Sequence, residues 1–386
     1  MLGMSRDIIA GIDIGTHSVK VIIAQLKDKG SPIILGTGFK HTHGLKNGYV
    51  TNSREVTRSL QVAIAKAEKM ANYEIDSAYL AIGGIGLDSV YTKVDLSITR
   101  AESAITQNDI DKLIEKARAK LQKKLINRKI LHDIVVRYKV DGEDVLGTPV
   151  GLRGNKLSAD VMLITTLEPH YKALNNIVES LDIEVLDTLA SPVAASLVVL
   201  SKEQKEAGCV LANIGAETLS IIVYEDGTPI SLKVFPTGSS DITNEIALKL
   251  QVPLAKAEEM KRGALFDQNV PQKKLNEIID TRLKEMFTLI KAHLKEIGKD
   301  GLLPAGVILT GGGVGLSHIT DLAKNSLKLP SELAQLKLAG KSLRDSTWSV
   351  ALGLCVYGLG QRQYKNKFGG FKIFRNVRDL LKHFMP

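Results

Sequence analysis

The chain has 386 residues, of which 44% are hydrophobic and 24% are charged. This composition is typical of globular rather than disordered proteins, and the length allows two or three domains. The two cysteines, Cys209 and Cys355, provide no disulfide framework, and the N-terminal stretch lacks the apolar core of a secretion signal, so we expect a reducing cytoplasm. No apolar run reaches about 18 residues, so we expect no membrane-spanning helix. Residues 361–386 carry +6 of the net charge of +9.

The first predicted element is a strand, turn and strand in "GIDIGTHSVKVII", residues 11–23. A Gly-X-Pro turn in "KDKGSPI" (27–33) then leads into another apolar strand. Glycine lets backbone N–H groups approach an anion, and hydroxyls and a lysine add donors and charge. The pattern therefore predicts a phosphate-binding turn, with a purely structural hairpin as the alternative. Its residues are Gly15, Thr16, His17, Ser18 and Lys20.

The stretch that follows the first meander predicts a compact α+β module without chemistry of its own. Strand patterns in "DSVYTKVDLSI", "HDIVVRYKV" and "DVMLITT" surround a charged amphipathic helix from about Gln107 to Lys124. His132 lies in an apolar strand pattern, which is more typical of a structural histidine than of a catalyst.

The first pattern recurs 200 residues later in "LANIGAETLSIIV", residues 211–223. Asp13 aligns with Asn213 and Gly15 with Gly215, and "YEDGTPI" (224–230) parallels the first Gly-X-Pro turn. A matched meander in two halves of one chain indicates duplicated domains. Facing turns of this kind can hold a polyphosphate, and we expect the second turn to contribute Asn213 with the four residues that follow Ile214. These four residues are Gly215, Ala216, Glu217 and Thr218.

A third glycine-rich segment follows at "GVILTGGGVGLSHITDLA", residues 306–323. An apolar strand runs into Gly311, Gly312 and Gly313, and a helical pattern comes after them. Backbone without side chains after a strand allows a flat base and ribose to lie against it, near a helix N-terminus.

The last segment, "FGGFKIFRNVRDLLKHFMP" (368–386), has the pattern of an amphipathic helix after a Gly-Gly break. Such a helix is expected to lie in the plane of an anionic membrane surface, although docking on the protein's own body is the alternative. The phenylalanine stripe favours lipid over nucleic acid. The apolar face comprises Phe371, Phe374, Val377, Leu380, Leu381 and Phe384. The basic face comprises Lys372, Arg375, Arg378 and Lys382.

The order of hairpin, hairpin and glycine turn resembles the phosphate-1, phosphate-2 and adenosine motifs of the actin-like ATPase superfamily. Within that superfamily, "GLKNGYVTN" (44–52), residues 140–165 and residues 237–263 are similar to segments of FtsA, the bacterial cell-division family. The resemblance implies an α/β actin-like fold, with two duplicated domains flanking a cleft for ATP and Mg²⁺.

The same resemblance implies the domain boundaries. The first actin-type domain would comprise residues 1–83 and 165–206, and the inserted subdomain residues 84–164. The second would comprise residues 207–240 and 302–360, with a helical upper lobe at 241–301. Residues 361–386 would form a linker and a membrane-targeting helix.

The resemblance also implies roles for individual side chains. Gly238, Glu258 and Lys261 would lie at the nucleotide, with the last two near the ribose or adenine, and Asp13 would reach Mg²⁺ through a water molecule. Asn213 stands where the family usually has an aspartate that organises the cation, so we expect slow or absent hydrolysis. Asp13 and Glu217 are the candidates for any catalytic role, and Glu217 lies where it could reach the cation.

The function implied is that of an FtsA-like protein that polymerises on the cytoplasmic face of the membrane at the division site. There it would tether FtsZ, whose C-terminal peptide would bind the lobe at 241–301, together with further division proteins. The alternatives are a PilM-type scaffold for pilus assembly, and a sugar kinase or chaperone-type ATPase. A kinase would transfer phosphate to a small molecule, and the amphipathic tail argues against the pilus role.

Overall fold

A computed structural model describes residues 8–25, 32–100, 104–264, 271–336 and 345–368. In the first half of the chain the elements run in this order: β1 (Ile8–Ile14), β2 (Ser18–Gln25), β3 (Ile33–His41), β4 (Leu45–Lys46), β5 (Tyr49–Val50), α1 (Ser53–Ala71), β6 (Ser77–Ile82), β7 (Asp88–Ser97), α2 (Gln107–Lys120), β8 (Arg128–Val140), β9 (Glu143–Val145), β10 (Lys156–Leu167), α3 (Glu168–Glu179), β11 (Glu184–Ala190) and α4 (Ser191–Val199).

In the second half the elements are α5 (Lys202–Ala207), β12 (Cys209–Ile214), β13 (Leu219–Glu225), β14 (Thr228–Phe235), α6 (Ser239–Leu250), α7 (Leu254–Lys261), α8 (Gln272–Glu296), β15 (Gly306–Thr310), α9 (Ile319–Leu327), β16 (Ser331–Leu333) and α10 (Ser349–Phe368).

The two predicted meanders form two sheets of the same topology. The first sheet has the order β11-β6-β1-β2-β3, and the second sheet has the order β16-β15-β12-β13-β14. In each sheet the first two meander strands pair antiparallel, and the first of them also pairs parallel with a later strand, β6 or β15. The duplication predicted from the 200-residue offset is thus confirmed, and with it the actin-like arrangement of two related halves.

Helices cover both sheets on both faces, so β1, β2, β12 and β13 are almost continuously buried and most of their residues are apolar. The first sheet packs against α1 and α3 on its outer face. The second sheet packs against α6 to α9 on its own outer face. Between the sheets lie α4 and α10, whose side chains join strands of both sheets in one hydrophobic core. Cys209 and Cys355 are buried in this core.

Strands β7 to β10 form a separate four-stranded sheet, here called the inserted sheet, with the order β7-β10-β8-β9. Helix α2 packs on it and ends within the helical range that the sequence predicted. An ion pair between Arg118 of α2 and Asp133 of β8 joins helix and sheet. His132 accepts a hydrogen bond from the backbone N–H of Ala190 at 3.0 Å, and burial lowers its pKa to about 4. It is a structural histidine, as predicted.

Helix α10 runs to Phe368 and therefore includes the start of the segment 361–386 that was expected to be a linker. The predicted membrane-facing residues, from Phe371 to Phe384, lie outside the described residues. Within the described part of the chain, no helix is both long enough and apolar enough to cross a membrane.

Candidate functional site

The two glycine turns have the same geometry and open into one cleft between the first and second sheets. The Gly15 N–H donates to the Ser18 carbonyl at 3.1 Å, and the Gly215 N–H donates to the Thr218 carbonyl at 2.8 Å. Each turn follows a buried strand, and both turns line the cleft between the sheets. The cleft has a volume of about 810 Å³, within the range of small-molecule binding sites.

Most of the residues predicted from the three motifs line this cleft. They are Asp13, Gly15, Thr16, His17, Ser18, Lys20, Asn213, Gly215, Ala216, Thr218, Glu258, Lys261, Gly311, Gly312 and Gly313. Strand β15 brings the glycine triplet to the second turn because it runs parallel to β12, with Thr310 beside Asn213.

Gly311 is a position that only glycine can occupy. Its φ of +97° is rarely adopted by other residues, and an added Cβ would collide with the Asn213 side-chain oxygen and the Ile214 carbonyl. At Gly312, by contrast, an added Cβ would meet no atom within 4 Å. The backbone at Gly312 therefore faces open cleft, as a surface for a flat ligand requires.

An acidic and a basic side chain lie side by side in the cleft wall formed by β1 and β2. Asp13 and Lys20 are cross-strand partners in the β1–β2 hairpin. Burial raises the pKa of Asp13 to about 6, and the charge of Lys20 only partly offsets this effect. His17 packs edge-on against His41, with ring centroids 4.7 Å apart. Burial, followed by the charge of His41, lowers the pKa of His17. The site therefore favours a neutral imidazole beside a cationic lysine.

A polar cluster connects α6 and α7 at the opposite wall. The Lys261 ammonium lies 2.7 Å from the Glu258 carboxylate and donates to the Thr243 hydroxyl at 2.8 Å and the Ser239 carbonyl at 3.1 Å. Glu258 also accepts from Thr243 at 2.5 Å and from Arg262 at 2.8 Å. Burial alone would raise the pKa of Glu258, but these donors lower it to about 2. Glu258 is thus an ionised acceptor held in one orientation.

Two predicted residues do not line the cleft. The Glu217 carboxylate accepts a hydrogen bond from the Asn47 backbone N–H at 2.5 Å, so it points towards the β4–β5 hairpin and does not line the cleft, where the resemblance implies a contact with the cation. Gly238 lies behind that turn, where a Cβ would collide with the Ala216 carbonyl. The Ser239 and Ser240 N–H groups donate to the Gly215 and Ala216 carbonyls at 2.9 and 2.8 Å. Gly238 therefore supports the turn.

Sequence reasoning missed other residues that line the cleft. A Gly83-Gly84 pair follows buried strand β6, which is the same signal that drew attention to the glycine triplet. Asp345, whose side chain accepts the Thr347 N–H at 2.9 Å, carried no comparable signal. Further lining residues that the sequence analysis missed include Gly48, Ser191, Ser220, Ser239, Ser240, Thr243, Asn244, Arg262, Ser346, Thr347 and Ser349.

The residues present fit a nucleotide with a divalent cation. The glycine turns, Lys20 and the hydroxyls of Thr16 and Ser18 suit phosphate oxygens, and the open backbone at Gly312 suits a planar group. Among the described residues, no cluster of three or more histidine, cysteine or acidic side chains could hold a metal alone. Mg²⁺ usually keeps several waters and binds through phosphates and one or two carboxylates, and here Asp13 would be the carboxylate that reaches it through a water molecule.

Two family models match the chain. Residues 210–353 match the model described as "Cell division protein FtsA", and residues 84–165 match the model of the SHS2 domain inserted in FtsA. The FtsA protein of Pseudomonas aeruginosa is 29% identical, over 92% of this chain and 90% of its own length. That of Bacillus subtilis is 26% identical, over 96% of this chain and 87% of its own length.

Solved structures show the same fold at lower identity. The PilM–PilN complex of type IV pilus biogenesis contains a chain with a TM-score of 0.66 and 17% identity, covering 91% of this chain and 98% of that one. MreB5 of Spiroplasma citri bound to ADP has a TM-score of 0.56 and 12% identity, covering 95% and 99%. These likenesses place the chain in the actin-like fold.

Proposed function

The chain belongs to the FtsA family of cell division proteins, and from that premise we propose an ATP-dependent membrane tether for the division ring. In this proposal the protein binds ATP and Mg²⁺ in the cleft and polymerises on the cytoplasmic face of the membrane at the division site. Its C-terminal amphipathic helix holds the filament there, and the lobe at 241–301 binds the C-terminal peptide of FtsZ.

The observation that carries the nucleotide part is the meeting of three distant glycine segments, around residues 15, 215 and 312, in one cleft. The two hairpin turns and Lys20 would bind the phosphates, and the open backbone at Gly312 would support the base and ribose. Glu258 and Lys261, ordered by their shared cluster, would contact the ribose or adenine. Solved relatives of the same fold include MreB5 bound to ADP and to AMPPNP.

Magnesium would neutralise phosphate charge, and the chain offers few carboxylates to organise it. Asp13 is the retained carboxylate, whereas Asn213 supplies a neutral amide at the equivalent turn and Glu217 is engaged elsewhere. Because phosphoryl transfer depends on positioned water and cation charge, we expect slow or absent hydrolysis, and any ATP turnover would regulate assembly. The protein would act as a scaffold.

The membrane part of the proposal rests on the tail. Each basic residue near an anionic leaflet contributes roughly 1 kcal/mol, and buried apolar area adds about 25 cal/mol per Å². Ordering about fifteen residues into a helix opposes much of this gain. Binding of a single chain would therefore be reversible and salt-sensitive, and polymerisation would strengthen it through multivalency.

The test is co-sedimentation with anionic liposomes, with and without ATP, of the full chain and of a chain truncated after Phe368, which keeps α10 whole. We expect only the full chain to pellet, with more protein in the pellet when ATP is present, and FtsZ to pellet only when the full chain is added. If both chains stay in solution, the tether is refuted and a role carried by protein partners, as in PilM-type scaffolds, takes its place.

A further inference from the structure

The segment 45–50 forms a hairpin whose tip lies at the mouth of the cleft. Strands β4 and β5 pair through Leu45 with Val50 and Lys46 with Tyr49, leaving a two-residue turn of Asn47 and Gly48. Both turn residues have positive φ, 50° and 83°, which is the type I′ geometry that Asn-Gly favours. The hairpin tip is thus a tight turn of defined backbone geometry.

This tip is fixed to the first half of the molecule. The Asn47 carbonyl accepts the Ile85 N–H at 3.2 Å, and Gly48 lies so close to Gly84 that a Cβ at Gly48 would collide with it. Gly48 and Gly84 both line the cleft. The tip therefore holds the Asn47 N–H in one position next to the nucleotide site.

Across the cleft mouth, the Asn47 N–H meets the side chain of Glu217 from the second glycine turn, at 2.5 Å. The two residues are 170 positions apart, lie in the β4–β5 and β12–β13 turns, and are both half-buried. A hydrogen bond from a backbone N–H to a carboxylate is charge-assisted, so it is stronger than one between neutral groups. This bond joins the two walls of the cleft without any ligand.

We propose that Glu217 and the 45–50 hairpin form a latch that holds the cleft closed and slows nucleotide entry and release. This regulation acts on the site of the proposed function and rests on it for its role in nucleotide exchange. Because the bond lies between the walls, the cleft cannot widen at this edge while the bond is intact. Opening thus requires the carboxylate to return to water and the Asn47 N–H to lose its partner.

The first experiment measures the latch in nucleotide-free protein, by hydrogen exchange of the Asn47 amide. Spin labels at Lys69→Cys and Lys324→Cys, both exposed and on opposite halves, report the width of the cleft; the native cysteines are buried. Glu217→Ala should speed exchange at Asn47 at least about tenfold, given the usual strength of hydrogen bonds to charged groups. It should also lengthen or broaden the spin–spin distance. Unchanged exchange and distance would overturn the latch.

Two further variants separate the effect of the side-chain length at position 217 from the effect of its charge. Glu217→Asp keeps the charge but shortens the side chain by one methylene, so it should behave like Glu217→Ala. Glu217→Gln keeps the reach but offers a neutral acceptor, so its exchange rate should fall between wild type and Glu217→Ala. Glu277→Ala removes an exposed carboxylate from the same half of the molecule and is the matched control. A wild-type exchange rate in Glu217→Asp would contradict the geometry proposed here.

The second experiment measures release of a fluorescent ATP analogue from preloaded protein. Release should be at least about tenfold faster from Glu217→Ala than from wild type, with Glu277→Ala unchanged. If wild type binds no nucleotide while Asn47 exchange still depends on Glu217, the nucleotide proposal fails and the latch stands as a structural contact. If ATP binds and its release does not depend on Glu217, the latch does not regulate exchange.

Discussion

At the scale of single residues, Asp13 is an ionisable group whose buried position in the cleft disfavours its charged form. Burial raises the pKa of the Asp13 carboxyl to about 6, and Lys20 on the neighbouring strand does not fully compensate. A carboxylate in this position lowers the stability of the ligand-free protein. Residues of this kind are common at functional sites, where a bound ligand uses the charge.

Asp13→Asn is therefore expected to stabilise the ligand-free protein at pH 7. Asp13 is ionised in both states at this pH, and its folded-state pKa lies above the unfolded value of 3.8, so ionisation disfavours folding by up to about 3 kcal/mol. The gain should shrink as pH falls below 6 and vanish near pH 4, where the folded carboxyl is already neutral. Denaturant unfolding at pH 4 to 8 measures it, with exposed Asp300→Asn as control. Equal stability at pH 7 would contradict the prediction.

Asn213 is the second residue with a direct bearing on chemistry. It lines the cleft at the end of β12, at the position equivalent to Asp13, and its side chain lies against Gly311. Asn213→Asp adds a carboxylate of nearly equal shape, which should help organise the cation and its waters. We expect steady-state ATP turnover to rise at least several-fold. Asn325→Asp on the exposed face of α9 makes the same charge change and should leave turnover alone. Unchanged turnover in Asn213→Asp would mean that another feature limits hydrolysis.

At the scale of elements, the strand–turn–strand repeats were predictable because both copies keep the same apolar periodicity around glycine. The turns formed at Gly15 and Gly215 as expected, and the strand before Gly311 joined β12. The direction of a side chain at a turn tip depends on tertiary contacts. The sequence therefore predicted a contact between Glu217 and the cation, whereas in the fold Glu217 accepts a hydrogen bond from Asn47. Asp345 and the Gly83-Gly84 pair reach the cleft only through the packing of separate elements.

Two glycine-to-alanine changes distinguish Gly312, whose backbone faces the open cleft, from Gly238, which supports the second glycine turn. Gly312→Ala meets no protein atom, so it should leave thermal stability unchanged and weaken ATP binding at least about tenfold, or ~1.4 kcal/mol, by occupying ligand space. Gly238→Ala collides with the Ala216 carbonyl, so it should lower both stability, by about 1–3 kcal/mol, and ATP affinity. Calorimetric titration with ATP and thermal melts of each variant test this pair. Normal ATP affinity in Gly312→Ala would remove the glycine triplet from the binding site.

At the scale of the whole molecule, α10 joins the nucleotide site to the tail. It packs between the two sheets with α4, and its residue Cys355 contacts the Ile22 carbonyl of β2. Because α10 continues to Phe368, the tail begins at the end of a helix anchored in the central core. A membrane-bound tail would therefore hold the body close to the bilayer. Closure of the cleft would bring together two halves that both pack on α4 and α10.

Phe374→Glu combined with Leu381→Glu tests the tail without touching the cleft. The double variant should lose binding to anionic vesicles, because two charges replace apolar side chains on the predicted lipid-facing side. Its ATP affinity should equal that of wild type. The matched control, Asn376→Glu with His383→Glu, adds the same charges on polar positions of the tail and should retain partial, more salt-sensitive binding. Equal loss in both variants would mean that attraction of charges, rather than burial of the phenylalanine stripe, holds the protein at the membrane. Full retention in the first variant would exclude the tail from the tether.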